Sequence, residues 1–148
     1  MPLRSTRMFS AVIAVCFLGA ACSGGGTPDQ TPTPSSTIDI NNRPSSPAVL
    51  KILEPKNGQV VHGTSTPLKM SLQNAKIVPA TTTHIVGTQG HVHVILDNKL
   101  VSMTYGLKQT LGNLTPGTHL LRAQFVASDH APFNPPVFAQ AVTFTVKP

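Results

Sequence analysis

The chain has 148 residues, with 11 Lys and Arg against 5 Asp and Glu and a formal charge of +6, a length that suits a single domain. Two cysteines are too few for a disulfide-stapled scaffold. The cations stand singly with no basic stripe, and aromatics make up only 5% of the chain, which excludes the electrostatic footprint and the stacking platform of a nucleic-acid binder.

Arg4 and Arg7 precede an uncharged run over residues 8–21, the basic n-region and apolar h-region of a secretory signal peptide. The run is shorter than the roughly 20 apolar residues of a spanning helix. It ends at Ala20, Ala21 and Cys22 and gives way to Ser23 and three glycines. At these residues the chain resembles bacterial lipoproteins. That resemblance implies a signal peptide over residues 1–21, acylation of Cys22 by palmitate-type chains, and anchoring to the bacterial cell membrane or outer membrane, facing the periplasm or the exterior. Gly19 stands where those proteins prefer a branched apolar residue. Gly19 and Ala21 also meet the small-residue rule of ordinary signal peptidase, which would release a soluble form. Removal of the signal leaves nine Lys and Arg against five acids, about +4, with Cys22 as the one cysteine, so the fold rests on side-chain packing.

Residues 22–47 are almost all Gly, Ser, Thr, Pro, Asn, Asp and Gln, with Pro28, Pro32, Pro34, Pro44 and Pro47 spaced through them. Such a segment buries too little apolar surface to offset its ordering entropy and is expected to be a disordered tether. Residues 48–148 are the expected domain.

That domain reads as short strands between turn signals, without a helical period. Residues 49–53 form a first strand, closed by a turn at Pro55, Lys56, Asn57 and Gly58. Leu68, Met70 and Leu72 alternate with Lys69 and Ser71 as a half-buried second strand, and a Thr-rich loop runs to Gly90. Residues 91–96 alternate cleanly. Asp97 and Asn98 then make a two-residue hairpin into residues 99–103. After Leu111 and Leu114, the turn Thr115, Pro116 and Gly117 leads into residues 118–126, and the last strand covers residues 140–146. About seven strands at this spacing predict an all-β, antiparallel, immunoglobulin-like β-sandwich.

The stretch from Leu114 through Pro116, Gly117, Thr118 and His119 to Leu121, followed by Ala127, Ser128 and Asp129, resembles bacterial immunoglobulin-like modules. The hairpin from Val92 to Val101 is similar to theirs, with Asn98 where they carry Gly. The likeness specifies fold and leaves function open. A narrower resemblance, to an uncharacterised bacterial family, lies in the Gly90, His91, Val92, His93 strand and the Asp129, His130, Pro132 and Pro135-Pro136 loop.

Gly90-His91-Val92-His93-Val94 carries the most chemistry. Strand alternation puts His91 and His93 on one face with Ile95, and Val92, Val94 and Leu96 on the core face. The two imidazoles then stand on the outer face about 7 Å apart, near enough to approach one metal. In an immunoglobulin-like sandwich the loop before the strand of His91 and the loop after residues 118–126 share an end. That topology gathers His84, His91, Asp129 and His130 there with His93 one step below, and sends His62 and His119 to the opposite end. Imidazoles suit copper or zinc. The expected ligands are His91, His93 and His130, with His84 or Asp129 as a fourth. Met103 is a further donor for copper(I), whereas Met70 alternates with core residues and reads as packing. His119 occupies the corner position that bonds back to its own turn, a structural role. The Pro132 to Pro136 stretch reads as a stiff connection.

Nothing here supports catalysis. Ser71, Ser102 and Ser128 lack a nucleophile-elbow context, and Glu54, Asp97 and Asp129 form no carboxylate pair of the glycosidase kind. Two non-enzymatic readings follow. One is a metal-binding module. The other is an interaction module whose outer face, with Tyr105, Phe133 and Phe138, contacts an envelope protein or glycan.

Overall fold

The computed structural model describes residues 39–79 and 81–148. The expected signal peptide, Cys22 and the first part of the expected tether lie outside the described residues.

Among the described residues, ten strands follow a 3-10 turn at Ile40–Asn42: β1 (Val49–Glu54), β2 (Val60–His62), β3 (Thr66–Gln73), β4 (Lys76–Ile77), β5 (Gln89–Leu96), β6 (Lys99–Thr104), β7 (Lys108–Leu111), β8 (Gly117–Ala127), β9 (Pro132–Phe138) and β10 (Val142–Lys147). They form an immunoglobulin-like β-sandwich. One sheet has the order β1-β3-β7. The other runs β2-β10-β8-β5-β4, with β6 on β5 and β9 on β8. The central pair, β5 and β8, is antiparallel over its full length, from Gly90 opposite Ala127 to Leu96 opposite Leu121. This is the pairing that the sequence requires if the two loops beyond it are to meet.

The core fills from alternating positions of both sheets. Leu50, Leu68, Met70 and Leu111 face Val92, Val94, Leu121, Ala123, Phe125, Val142, Phe144 and Val146, a continuous apolar layer of the kind that drives sandwich folding. Asp97 and Asn98 both have positive φ, 50° and 64°, as a two-residue hairpin turn between twisted strands demands.

β2, β4 and β9 add to the seven strands expected. The first two are only three and two residues long, too short for alternation to register. β9 carries Pro132, Pro135 and Pro136, which read as a stiff connection. Proline is compatible with a strand whose donor side needs no sheet partner, and β9 pairs only with β8. Its free side is met by residues 39–47, with Asn134 N–H donating to the Pro44 carbonyl at 3.1 Å. Residues 39–47, placed in the tether by their composition, thus find backbone and side-chain partners on the domain. Phe133 is buried and stacks on Phe125 with ring centroids 5.6 Å apart. It belongs to the core and is lost to the outer aromatic patch.

Candidate metal centre

His91 and His93 point from β5 to the face opposite Val92 and Val94, as alternation requires. That face is not open at this end of the sheet. His91 is completely buried and His93 half-buried, which corrects the expectation of a solvated pair. Two neighbours cover His91. The Tyr105 ring lies 5.3 Å from it and the His130 ring 4.3 Å, edge to face. The rings of His91 and His93 are 5.2 Å apart.

Two features of the local backbone bring His130 over β5. A Cβ on Gly90 would stand 1.9 Å from the Val126 carbonyl oxygen, so the missing side chain lets β5 and β8 approach just before the turn. The turn itself closes tightly, with His130 N–H donating to the Ala127 carbonyl and Ala127 N–H to the Ala131 carbonyl, each at 3.0 Å. His130 sits within it at φ 66°, a left-handed conformation in which glycine is the usual occupant.

Each of the three imidazoles offers a ligand nitrogen, and these nitrogens lie within 4.8 Å of one another, so the three could hold a metal ion. His91 Nε2 is 2.9 Å from His130 Nδ1, and His130 Nε2 is 3.2 Å from Thr81 Oγ1. Nitrogens bound tetrahedrally at about 2.0–2.1 Å from zinc are separated by about 3.3 Å, so a small expansion converts this contact into a ligand pair. A Thr81 partner on His130 Nε2 leaves Nδ1 free to ligate, the outer support that fixes tautomer and ring orientation in metal sites. His91 Nδ1 and His93 Nε2 are buried with no hydrogen-bond partner, which costs free energy unless something binds them. Burial, then the neighbouring His130 and His93, push His91 down to about 4 from 6.5. Burial and His130 lower His93 as well. Both are neutral at pH 7, the form that binds metal.

The other two expected ligands do not join. Asp129 is gripped by Arg43: Nη2 donates to Oδ1 at 2.7 Å, Nη1 pairs with Oδ2, and Ala131 N–H donates to Oδ1 at 3.1 Å. Hydrogen bonding from Arg43 holds this carboxyl below its usual range. Arg43 Nε also donates to the Pro132 carbonyl at 3.0 Å. Sequence reading missed this role because Arg43 lies in a stretch whose composition reads as tether. His84 is exposed on the loop before β5, and its backbone N–H donates to Thr82 Oγ1 at 3.1 Å.

His62 and His119 lie at the far end, as expected. His62 pairs with Lys147 on β10, and Val146 of β10 sits opposite Gly117, where β8 begins. His119 Nδ1 is 2.7 Å from Asp97 Oδ2 and its Nε2 is 2.8 Å from the Thr115 carbonyl. Both partners accept, so the protonated ring can donate to both at once. The Thr115 carbonyl, then Asp97, raise its pKa. This corner role is structural.

Residues 68–147 match a family model described as a domain of unknown function, DUF4399. No curated protein matches the sequence. Among solved structures, the chain is similar to fibronectin(III)-like modules of Clostridium thermocellum CbhA, at 15% identity and TM-score 0.49, covering 67% of this chain and 96% of that one. It is also similar to the PKD domain of human KIAA0319, at 14% identity and TM-score 0.41, covering 86% and 93% respectively.

Proposed function

The chain belongs to the DUF4399 family of unknown function, and on that premise we propose that it is a metal-binding module of a membrane-tethered envelope lipoprotein. It acts without catalysis and takes copper or zinc at His91, His93 and His130. The observation that carries this reading is the convergence of three imidazoles within 4.8 Å, with the buried Nε2 of His93 lacking a hydrogen-bond partner. A cluster that served packing alone would leave that nitrogen as a standing cost. Cys22 supplies the membrane anchor in this reading and the segment after it the spacing. The test is a chelator-competition titration of the full chain with zinc and copper, compared with His93→Gln. Tight one-to-one binding that is lost in the variant supports the site, and equal binding in both removes it.

A second reading rests on a separate observation. Leu100, Met103, Tyr105 and Phe138 are exposed, so this side of the sandwich has apolar surface for an envelope protein or a glycan. Binding to such a partner would persist in chelator.

A further inference from the structure

We infer that Met103 supplies a thioether as the fourth ligand beside His91, His93 and His130, and that the site is selective for copper(I); this rests on the metal reading above. On the antiparallel ladder between β5 and β6, Met103 is the direct partner of His93, while Val92 pairs with Thr104 and Val94 with Ser102. Directly opposed residues of an antiparallel pair point to the same face, with Cβ atoms about 4.5–5.5 Å apart. Met103 therefore stands on the face of His93. Its neighbours confirm the alternation. Ser102 turns the other way and donates to Gln109 Oε1 at 2.9 Å, on the strand of the facing sheet. Tyr105, two residues beyond Met103, lies against His91 with ring centroids 5.3 Å apart. The segment thus presents Tyr105 beside His91 and Met103 beside His93.

Met103 is 53% exposed. A methionine in this position gains little from burial, yet its three rotatable side-chain bonds let the sulfur reach towards its neighbour. Soft thioether ligands select copper(I).

Charge leads to the same metal. Every side-chain carboxylate of the described residues is engaged elsewhere: Asp39 with Asn41 N–H, Glu54 with Lys69, Asp97 with His119 and Asp129 with Arg43. Imidazole and thioether ligands bring no negative charge to the ion. The penalty for holding an uncompensated ion away from water grows with the square of its charge, so a monovalent ion is tolerated here far better than a divalent one.

The test uses the full chain with Cys16→Ser and Cys22→Ser, so that thiols contribute no ligand. Copper(I) is titrated anaerobically with reductant against a chromogenic copper(I) chelator, and zinc is titrated separately. Met103→Leu is compared with the parent. Expected is copper(I) binding weakened at least about tenfold by Met103→Leu with zinc binding little changed, and a sulfur scatterer in the copper absorption spectrum that disappears in the variant. Equal copper(I) affinity in both proteins, or zinc binding without copper(I) binding, overturns the role of Met103 while the histidine site stands. If neither metal binds the parent, the histidine reading fails, and this inference with it.

Discussion

His91 Nε2 and His130 Nδ1 lie 2.9 Å apart although 39 residues separate them in the chain. The contact joins the start of β5 to the turn after β8, and it depends on a residue in an unfavourable backbone conformation. His130 has φ 66°, where a side chain costs roughly 1 kcal/mol relative to glycine. The fold alone would be served by Gly at this position. His130→Gly is therefore expected to keep a cooperative unfolding transition, with stability within about 1 kcal/mol of the parent because relief of strain offsets the lost imidazole contacts. Metal affinity should fall sharply in the same variant. Urea titration and metal titration on one sample check both halves.

Gly90 tests the geometry from the other side. With its Cβ placed 1.9 Å from the Val126 carbonyl, Gly90→Ala must force β5 and β8 apart. A loss of several kcal/mol is expected, read as a large fall in the denaturant midpoint. A wild-type midpoint would mean that the strands do not approach so closely.

Arg43 links the segment ahead of the domain to the turn that carries His130. Its side chain is 9% exposed and pairs with Asp129 while donating to the Pro132 carbonyl. Arg43→Ala leaves a partly buried carboxylate without its partner, so a loss of about 2–3 kcal/mol is expected. Asp129→Asn, which keeps the shape, should cost less and should leave metal stoichiometry unchanged, since Asp129 is not a ligand. Calorimetry and a metal titration of the two variants measure this.

Two histidines should give opposite pH dependence. Unfolded His91 titrates near 6.5 and folded His91 near 4, so between these values the unfolded chain holds more protons. Acidification from 6.5 towards 4 therefore removes stability from the metal-free protein, on the order of 3 kcal/mol. His119 is raised by the Thr115 carbonyl and Asp97. Its contribution is complete below about 6.5 and is lost as pH rises through its higher folded value. Urea unfolding in chelator across this range should show the acid loss diminished in His91→Phe and the alkaline loss absent in His119→Gln.

Much of this was legible in the residues. Val92, Val94 and Leu96 against His91 and His93 fixed which way β5 faces, and Asp97-Asn98 placed the hairpin between β5 and β6. Its register could not be read there: the two-residue turn alone sets Ser102 opposite His93, and a register shift between Val94 and Ile95 moves Met103 into that place. The corner role of His119 followed from its place at the start of β8. What could not be read was tertiary. Burial of His91 depends on Tyr105 and His130 folding over an outer face, and alternation reports only which face a residue takes. Arg43 capturing Asp129 joins positions 86 residues apart, with no local pattern to mark it. The strand at Pro132–Phe138 contradicts proline's usual signal because only one of its sides needs a sheet partner.

The most direct test of the metal site is equilibrium binding of copper(I) and zinc to the cysteine-free full chain at pH 7, alongside a His91→Ala, His93→Ala variant shown by circular dichroism to remain folded. One ion should bind the parent, bind the variant far more weakly, and leave the parent as pH falls through the histidine range, where protons compete for the same nitrogens. Binding of both metals that is no tighter in the parent than in the variant would contradict the account.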